Sequence, residues 1–406
     1  MLMSTRVAIT GIGLVTALGT TREESWRRML DGECGIRATT VFDTDGYRSR
    51  VAAEVDMASL DAGSTALERR RRSRSDRIGA HAAAEALADA GLLDGAVDRS
   101  RVGVFLGAGT ADLLRNEDFY RTWITSGLER TRPSDVWNHF PSTPVDVVAE
   151  RFGLEGPRAC IVAACSSSTI AIGRAVEAIR SGRADAALAG GTDALSRLTF
   201  SGFNLLRLMD VAPCRPFDRS RAGMNIGEGA GILVLENLDT ARRRGARIYA
   251  ELAGHGLACE AFHPTAPEPE GRPVAAVVNL ALRDAGIHPD AVDHINAHGT
   301  ATPQNDAAEA RGFRRVFGDR VSEIPVTSLK SMIGHCLGAA GAVEAAALVL
   351  TVARGAIPPT INHAETDADC AIDVVANRAR ERRVRCAVST SLGFGGNDSA
   401  IVIRAV

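Results

Sequence analysis

Lysine is almost absent from this sequence. Of 47 basic residues one is Lys, at position 330, and the other 46 are Arg. Arg is a wide planar fork and Lys a compact point charge with three donors, so a single surviving Lys reads as a place where Arg does not serve, the alternative being chance survival of a surface Lys. Aromatic residues are also few, at 4%, and the net charge is -2. Together these argue against a nucleic-acid surface. The eight Cys (34, 160, 165, 214, 259, 336, 370 and 386) form no C-x-x-C pair and no zinc-type spacing. They read as mostly buried, reduced thiols of a cytoplasmic protein. No uninterrupted apolar run reaches the roughly 20 residues of a membrane helix, so no membrane role is expected. The apolar N-terminus, MLMSTRVAITGIGLVTALG, is interrupted by Gly11, Gly13 and Thr16 and has no small-residue cleavage pattern after it. It reads as a first buried strand. GIGLVT lacks the third Gly of a dinucleotide fingerprint, and neither GAGTAD nor GEGAG is followed by Gly-Lys-Ser/Thr. No cofactor and no metal are expected.

What is present is an ordinary globular balance over 406 residues, 45% hydrophobic and 24% charged. At roughly 100–200 residues per domain, two domains or two halves of one core are expected. Short β-rich runs (RVAITGIG, RVGVFLGAG, ADAALAGG, GAGILVLE, RIYAELAGHG, HINAHG, IPVTSL, CAVSTSLG, SAIVIRA) alternate with Ala-rich helical runs such as DRIGAHAAAEALADAG, SSTIAIGRAVEAIRSG and GAVEAAALVLTVARG. That order predicts an α/β fold with helices on the sheet faces. RIYAELAGHG opens like RVAITGIG, so the chain is read as two related halves, 1–247 and 248–406. Residues 110–145 read as an insertion or loop, and the Pro-rich, acidic 260–273 as a surface loop. The basic run ERRRRSRSDR at 68–77 is a solvated face or a docking patch for an acidic partner.

The chemistry concentrates in three places. Cys165, in ACIVAACSSSTIAIG, stands where an apolar strand turns into a helix. Free N–H groups and the helix end there are expected to lower its thiol pKa and make it a nucleophile; the alternative is a structural core Cys. His298, in HINAHGTATPQND, ends a strand. His335 and Lys330, in SLKSMIGHCLGAAGAVEAA, precede a helix whose small residues at 338–342 demand close packing, with Glu344 a buried partner for a nearby cation. One nucleophilic Cys with two turn-borne His points to thioester chemistry. SLGFGGNDSA offers Gly-rich backbone amides as half of an oxyanion hole.

In order along the chain, AACSSS, RPFDRSRAGMNIGEGAGILVLE, NAHGTATPQND, SLKSMIGHCLGAAGAVE and GFGG resemble the β-ketoacyl-acyl-carrier-protein synthases of the thiolase superfamily. The synthase II-like group and its type II polyketide relatives are the most similar. The resemblance implies a thiolase-like five-layer α-β-α-β-α fold from two duplicated halves, usually dimeric, and no cofactor beyond the phosphopantetheine arm of the carrier. It implies that Cys165 carries the acyl group and that His298 and His335 donate to the malonyl thioester oxygen during decarboxylation. Lys330 orders them with Glu344, and the Cys165 and Phe394 amides form the oxyanion hole. It makes Phe394 a mobile gate, Thr300 and Thr302 the pantetheine contacts, and Arg69, Arg70, Arg71, Arg72 and Arg74 a docking surface for an acyl carrier protein. The partner subunit is a second copy or a chain-length-factor-like chain.

Departures from the family pattern bear on the acyl pocket. AACSSS replaces the usual C-T-S-G context, and Leu392 stands where Phe is usual. Thr110 stands where a larger apolar residue often lines the pocket, and His139 and Phe140 where a dimer partner often closes it. These changes favour a specialised polyketide or unusual fatty-acyl role over housekeeping elongation. A non-catalytic scaffold subunit, and a decarboxylase or acyl transferase that never condenses, are the alternatives.

Overall fold

A computed structural model of the chain describes residues 5–93, 97–111, 113–132 and 140–406. His139 lies outside the described residues. Ten strands build the centre: β1 (Val7–Val15), β2 (Val102–Gly107), β3 (Arg158–Ile161), β4 (Ala186–Asp193), β5 (Gly229–Asn237), β6 (Ala250–Cys259), β7 (His294–Asn296), β8 (Pro325–Thr327), β9 (Cys386–Gly393) and β10 (Asn397–Arg404). In the first five, β1 runs antiparallel to β5, β5 antiparallel to β4, β4 parallel to β2 and β2 parallel to β3. In the second five, β6 runs antiparallel to β10, β10 antiparallel to β9, β9 parallel to β7 and β7 parallel to β8. Each strand of the second set thus occupies the place of the strand five earlier. The sets join where Ala8 and Ile9 of β1 pair with Glu251 and Ala250 of β6. The short strand Asp373–Val374 extends the second set beyond β8.

Five helices make the layers: α1 (Arg74–Asp89), α2 (Ser167–Arg180), α3 (Arg272–Ala285), α4 (Pro303–Phe317) and α5 (Ala340–Arg354). Helices α2 and α5 lie between the two strand sets and touch strands of both, α1 covers the outer face of the first set, and α3 with α4 covers the second. Strands covered on both faces need near-continuous apolar or small residues, and every position of β1 and β4 is buried. Three clusters follow the layers: a central one around α2 and α5, an outer one under α1, and another under α3 and α4. The apolar stretch Leu337–Arg354 is long enough to cross a membrane, yet 89% of it is buried in the central layer. It is a core helix by placement.

The predicted strands and helices are all present, with one difference. Residues 113–126, within the expected loop, form a helix. Its only buried residue is Asn116, and Tyr120, Trp123 and Ile124 face outward. With no inward apolar stripe it has no helical period to read. Phe140 is exposed as well.

Close packing at the elbow between β3 and α2 depends on Gly107. A Cβ there would overlap the backbone amide of Ser168. That contact is with backbone and cannot rotate away, so Gly107→Ala is expected to destabilise the fold by at least the ~1–3 kcal/mol of a typical overpacked core. A lowered urea midpoint at unchanged slope is the measurement that checks it.

Candidate active site

The repeated strand order places two loops at equivalent ends of the central layer. Cys165 lies between β3 and α2, and Lys330 and His335 lie between β8 and α5. The Cys165 elbow is sharp. Ala164, just before it, has φ of 49°, a left-handed conformation that costs a non-Gly residue energy and persists only where surroundings enforce it. The surroundings here are hydrogen bonds: Ala163 N–H donates to Ser167 Oγ at 2.8 Å, and Ser167 Oγ donates to the Ala164 carbonyl at 2.6 Å. Ser166 Oγ donates to the Ser391 carbonyl at 3.0 Å, tying the elbow to β9.

The Cys165 sulfur and one ring nitrogen of each of His298 and His335 lie within 4.8 Å of one another. The two rings meet edge to face, centroids 5.2 Å apart. Leu337 N–H donates to His335 Nδ1 at 3.1 Å. That bond makes Nδ1 an acceptor and puts the ring proton on Nε2. His335 Nε2 is buried and has no hydrogen-bond partner among the described residues. A buried donor left open in a cavity is a donor held for a ligand. Lys330 Nζ sits 3.3 Å from His298 Nδ1 and pairs with Glu344. An ammonium there makes Nδ1 of His298 an acceptor too, leaving its Nε2–H to donate. Lys330 and Glu344 are 1% and 2% exposed.

Burial dominates the electrostatics. It pushes both imidazoles well below their ordinary pKa, with Lys330 next as a cause, so both rings are neutral at pH 7. It pushes the Glu344 carboxyl up to about 7 against the opposing charge of Lys330. It also pushes the Cys165 thiol up to about 11, while Lys330 and the Phe394 amide act to lower it. This reverses the expectation of a lowered thiol pKa: loss of water outweighs the helix end. Alkylation of Cys165 by iodoacetamide is therefore expected to rise about tenfold per pH unit from pH 7 to 10, read by intact-protein mass. A plateau near pH 8 would show that burial is not in control.

These groups open into a cavity of ≈ 380 Å³ lined by Cys165, both His, Thr300, Thr302, Leu392 and Phe394 among others. The Thr300 and Thr302 hydroxyls are 2.9 Å apart on its wall. The Phe394 amide faces the Cys165 sulfur, and its ring packs on Phe203 with centroids 5.6 Å apart. The Pro-rich 260–273 segment, read as a surface loop, supplies Glu260 and residues 263–267 to the same wall.

Two expected site residues are placed otherwise. Thr110 is not part of this cavity; its Oγ1 donates to Asp193 at 3.1 Å. Arg74 is turned inward. Its Nε lies 2.7 Å from the fully buried Glu228, and its Nη2 donates to the Val55 carbonyl at 3.0 Å. As the first residue of α1 it neutralises a buried acid, which removes it from any docking surface. Arg69, Arg70 and Arg71, on the short helix Ala66–Arg71, are exposed, and Arg72 pairs with Glu150 at 2.6 Å.

The sequence reading missed three carboxylates that hold the site by its backbone. Glu309 accepts the His298 amide at 2.7 Å, the Gly299 amide at 2.8 Å and the Thr390 hydroxyl at 2.6 Å. Asp306 accepts the Ala301 amide at 3.1 Å and the Phe217 amide at 2.7 Å. Asp193 gathers the amides of Gly109 (2.8 Å), Ala111 (3.0 Å) and Gly338 (2.9 Å). The available signal was NDAAE after the His298 turn, two acids three residues apart on what the structure shows to be one face of α4.

A Cys with two His at this spacing is also a metal-type donor set. The tautomers argue against it. Both Nδ1 atoms face donors and the outward nitrogens carry protons, while the Lys330 charge repels a cation. The arrangement suits two neutral N–H donors beside a thiol.

Known proteins resemble this chain over its whole length. Residues 4–241 match the family model "Beta-ketoacyl synthase, N-terminal domain" and residues 249–364 match "Beta-ketoacyl synthase, C-terminal domain". A 3-oxoacyl-[acyl-carrier-protein] synthase 2 of Synechocystis is 36% identical over 98% of both chains. One of Coxiella burnetii is 37% identical over 99% of both. Among solved structures, the ishigamide ketosynthase/chain length factor superposes with a TM-score of 0.94 at 36% identity, over 99% of this chain and 100% of that one. The type II polyketide synthase complex AntDE:AntF, an acyl-carrier protein with its ketosynthase bound to the hexaketide, gives 0.92 at 33%, over 100% of both.

Proposed function

The chain belongs to the β-ketoacyl synthase family, and from that premise we propose that it condenses a Cys165-bound acyl group with malonyl-carrier protein. The observation that carries this is the open Nε2–H of His335, held by Leu337 beside His298 and the Cys165 thiol. An acyl group passes from its carrier thioester to the Cys165 sulfur, and the thiol proton leaves with the carrier thiol. Malonyl-carrier protein then enters. His335 and His298 donate to its thioester oxygen, the C–C bond to the carboxylate breaks, and carbon dioxide departs. Two neutral donors aimed at developing negative charge in a water-poor site stabilise the enolate. The enolate carbon attacks the acyl-Cys165 carbonyl, whose oxygen is met at the Phe394 amide. The C–S bond breaks, β-ketoacyl-carrier protein is released, and the thiolate regains a proton. Lys330 acts through His298 and Glu344 as a positioning residue, and Phe394 gates the cavity.

No resident cofactor is needed in this scheme, because the phosphopantetheine arm brings the substrates past Thr300 and Thr302. The exposed Arg69, Arg70 and Arg71 are the contacts proposed for an acidic carrier protein. We read residues 1–247 and 248–406 as duplicated halves, on the strength of the repeated strand order, and the working unit as a cytoplasmic dimer. Its second subunit is another copy or a chain-length-factor-like chain, since the similar structures include ketosynthases with chain length factors. A specialised polyketide or fatty-acyl pathway is our first reading; housekeeping elongation is supported by the relatives named synthase 2.

Incubation with a panel of acyl-carrier proteins is expected to add one acyl mass to the chain, and Cys165→Ala to remove the adduct. No adduct with any donor, or normal product from the Cys165→Ala chain beside a partner, would sink the condensing role in favour of a scaffold. Carbon dioxide release without β-keto product would mark a decarboxylase.

A further inference from the structure

Two carboxyl groups on the cavity wall have no part in that chemistry. Asp398, the second residue of β10, is 1% exposed, and neither of its oxygens has a hydrogen-bond partner of normal geometry among the described residues, although the Gly393 amide lies near enough to favour its charged form. Glu260, directly after β6, is half-buried, and its Oε2 accepts the Glu268 amide at 3.1 Å. The two carboxyls face each other. Burial first, then the neighbouring acid, raises Asp398 to about 8, and burial raises Glu260 as well. The other charged groups bearing on the pair are Glu268 from the same loop and Glu309 from α4, both acidic. Arg272 is engaged by Glu268 at 2.9 Å, and His263 shares the cavity wall. Two carboxylates in such a setting repel, whereas one proton between them makes a donor and an acceptor.

Their placement gives the contact a mechanical role. The Glu260 amide donates to the Gly396 carbonyl at 2.8 Å, and the Gly395 amide donates to the Pro264 carbonyl at 2.8 Å. These bonds join the 260–267 loop to the 393–397 turn, and that turn carries Phe394 with its amide at the Cys165 sulfur. The side-chain pair reinforces the same junction one residue further along.

We propose that Glu260 and Asp398 share one proton that latches the Phe394 turn to the 260–267 loop, which makes them positioning residues for the gate. The proposal rests on the reading of Phe394 as that gate. Below about pH 8 the proton is retained and the junction is closed. Above it, bulk base removes the proton, two adjacent carboxylates remain, and the turn is released.

Amide hydrogen exchange on the full chain without substrate tests this, with rates corrected for intrinsic pH dependence. Protection of the Glu260 and Gly395 amides is expected to fall at least tenfold between pH 7 and 9.5. In Asp398→Asn a side-chain amide donates to Glu260 at every pH, so protection there is expected to stay level. Glu260→Gln makes the same substitution from the other side and serves if the first variant fails to fold. Level protection in the unmodified chain, or the same fall in the variants, overturns the latch. Cys165 acylation is then read over the same pH range as a ratio of unmodified chain to variant. A ratio that moves with protection supports latch and gate together. If exchange switches and the ratio stays constant, the latch stands and the gate reading of Phe394 is overturned.

Discussion

His335→Ala is expected to slow carbon dioxide release from malonyl-carrier protein by about 10²–10³-fold, the usual cost of removing one oxyanion donor, while Cys165 acylation changes only a few-fold. The split follows from geometry. The Nε2–H of His335 is buried and has no hydrogen-bond partner among the described residues, so it makes no stabilising bond within the fold and is free to act on an incoming oxygen. Its direction is set by the Leu337 amide at 3.1 Å, from a residue with φ of 51°. Such a conformation persists because the loop over-determines it. His335→Gln keeps a donor of different reach and is expected to recover part of the loss. Separate assays of carbon dioxide release and acyl-enzyme mass check both halves. Equal losses in the two steps would mean that the imidazole shapes the cavity rather than stabilising the enolate.

The residues of this site were legible unequally, and the difference has a physical origin. Cys165, His298, Lys330 and His335 sit on connections between a strand and a long helix, where sequence alone marks an apolar run ending in small residues. Two-sided burial wrote the strands into the sequence in the same way, as runs such as AALAGGTD with every position buried. Asp193 acts through backbone amides of distant loops, and nothing local signals such a partner, whereas Glu309 holds the amides of the nearby His298 turn and left only the NDAAE spacing as a sign. Glu260 and Asp398 lie 138 positions apart and meet only because β6 and β10 pair in register at Ala258 and Asp398. Arg74 was misread because charge density along a chain does not say which side of a helix faces Glu228. The Cys165 thiol was misread because a helix end is visible in sequence and the depth of burial is not. The helix at 113–126 escaped because it turns its aromatics outward.

The sole lysine yields the second large effect. Lys330→Arg keeps the charge and is nonetheless expected to lower decarboxylation by about 10²-fold, the scale on which a shift of about 1 Å acts in an active site. Lys330 is 1% exposed, with Nζ set between Glu344 and His298 Nδ1, 3.3 Å from the latter. A guanidinium is wider than an ammonium and planar, and the Glu344 and His298 side chains on either side of Lys330 are themselves buried. To fit, it must displace the His298 ring or break the contact with Glu344. Lys330→Met poses the complementary question. It removes the cation and leaves the Glu344 carboxyl buried and unpaired, a loss on the order of 3–5 kcal/mol for a broken buried pair. Without Lys330, burial alone acts on Glu344 and raises its pKa further, so the acid stays protonated through neutral pH. His298 then loses the donor that fixes its tautomer. Lys330→Met with Glu344→Gln removes the charge on both sides and is expected to regain stability without regaining decarboxylation. Urea midpoints for the single and double variants, set beside carbon dioxide release, separate the two roles. If the double variant recovers turnover along with stability, Lys330 only braces the core; if stability alone returns, the ammonium is what holds His298 in its donating form.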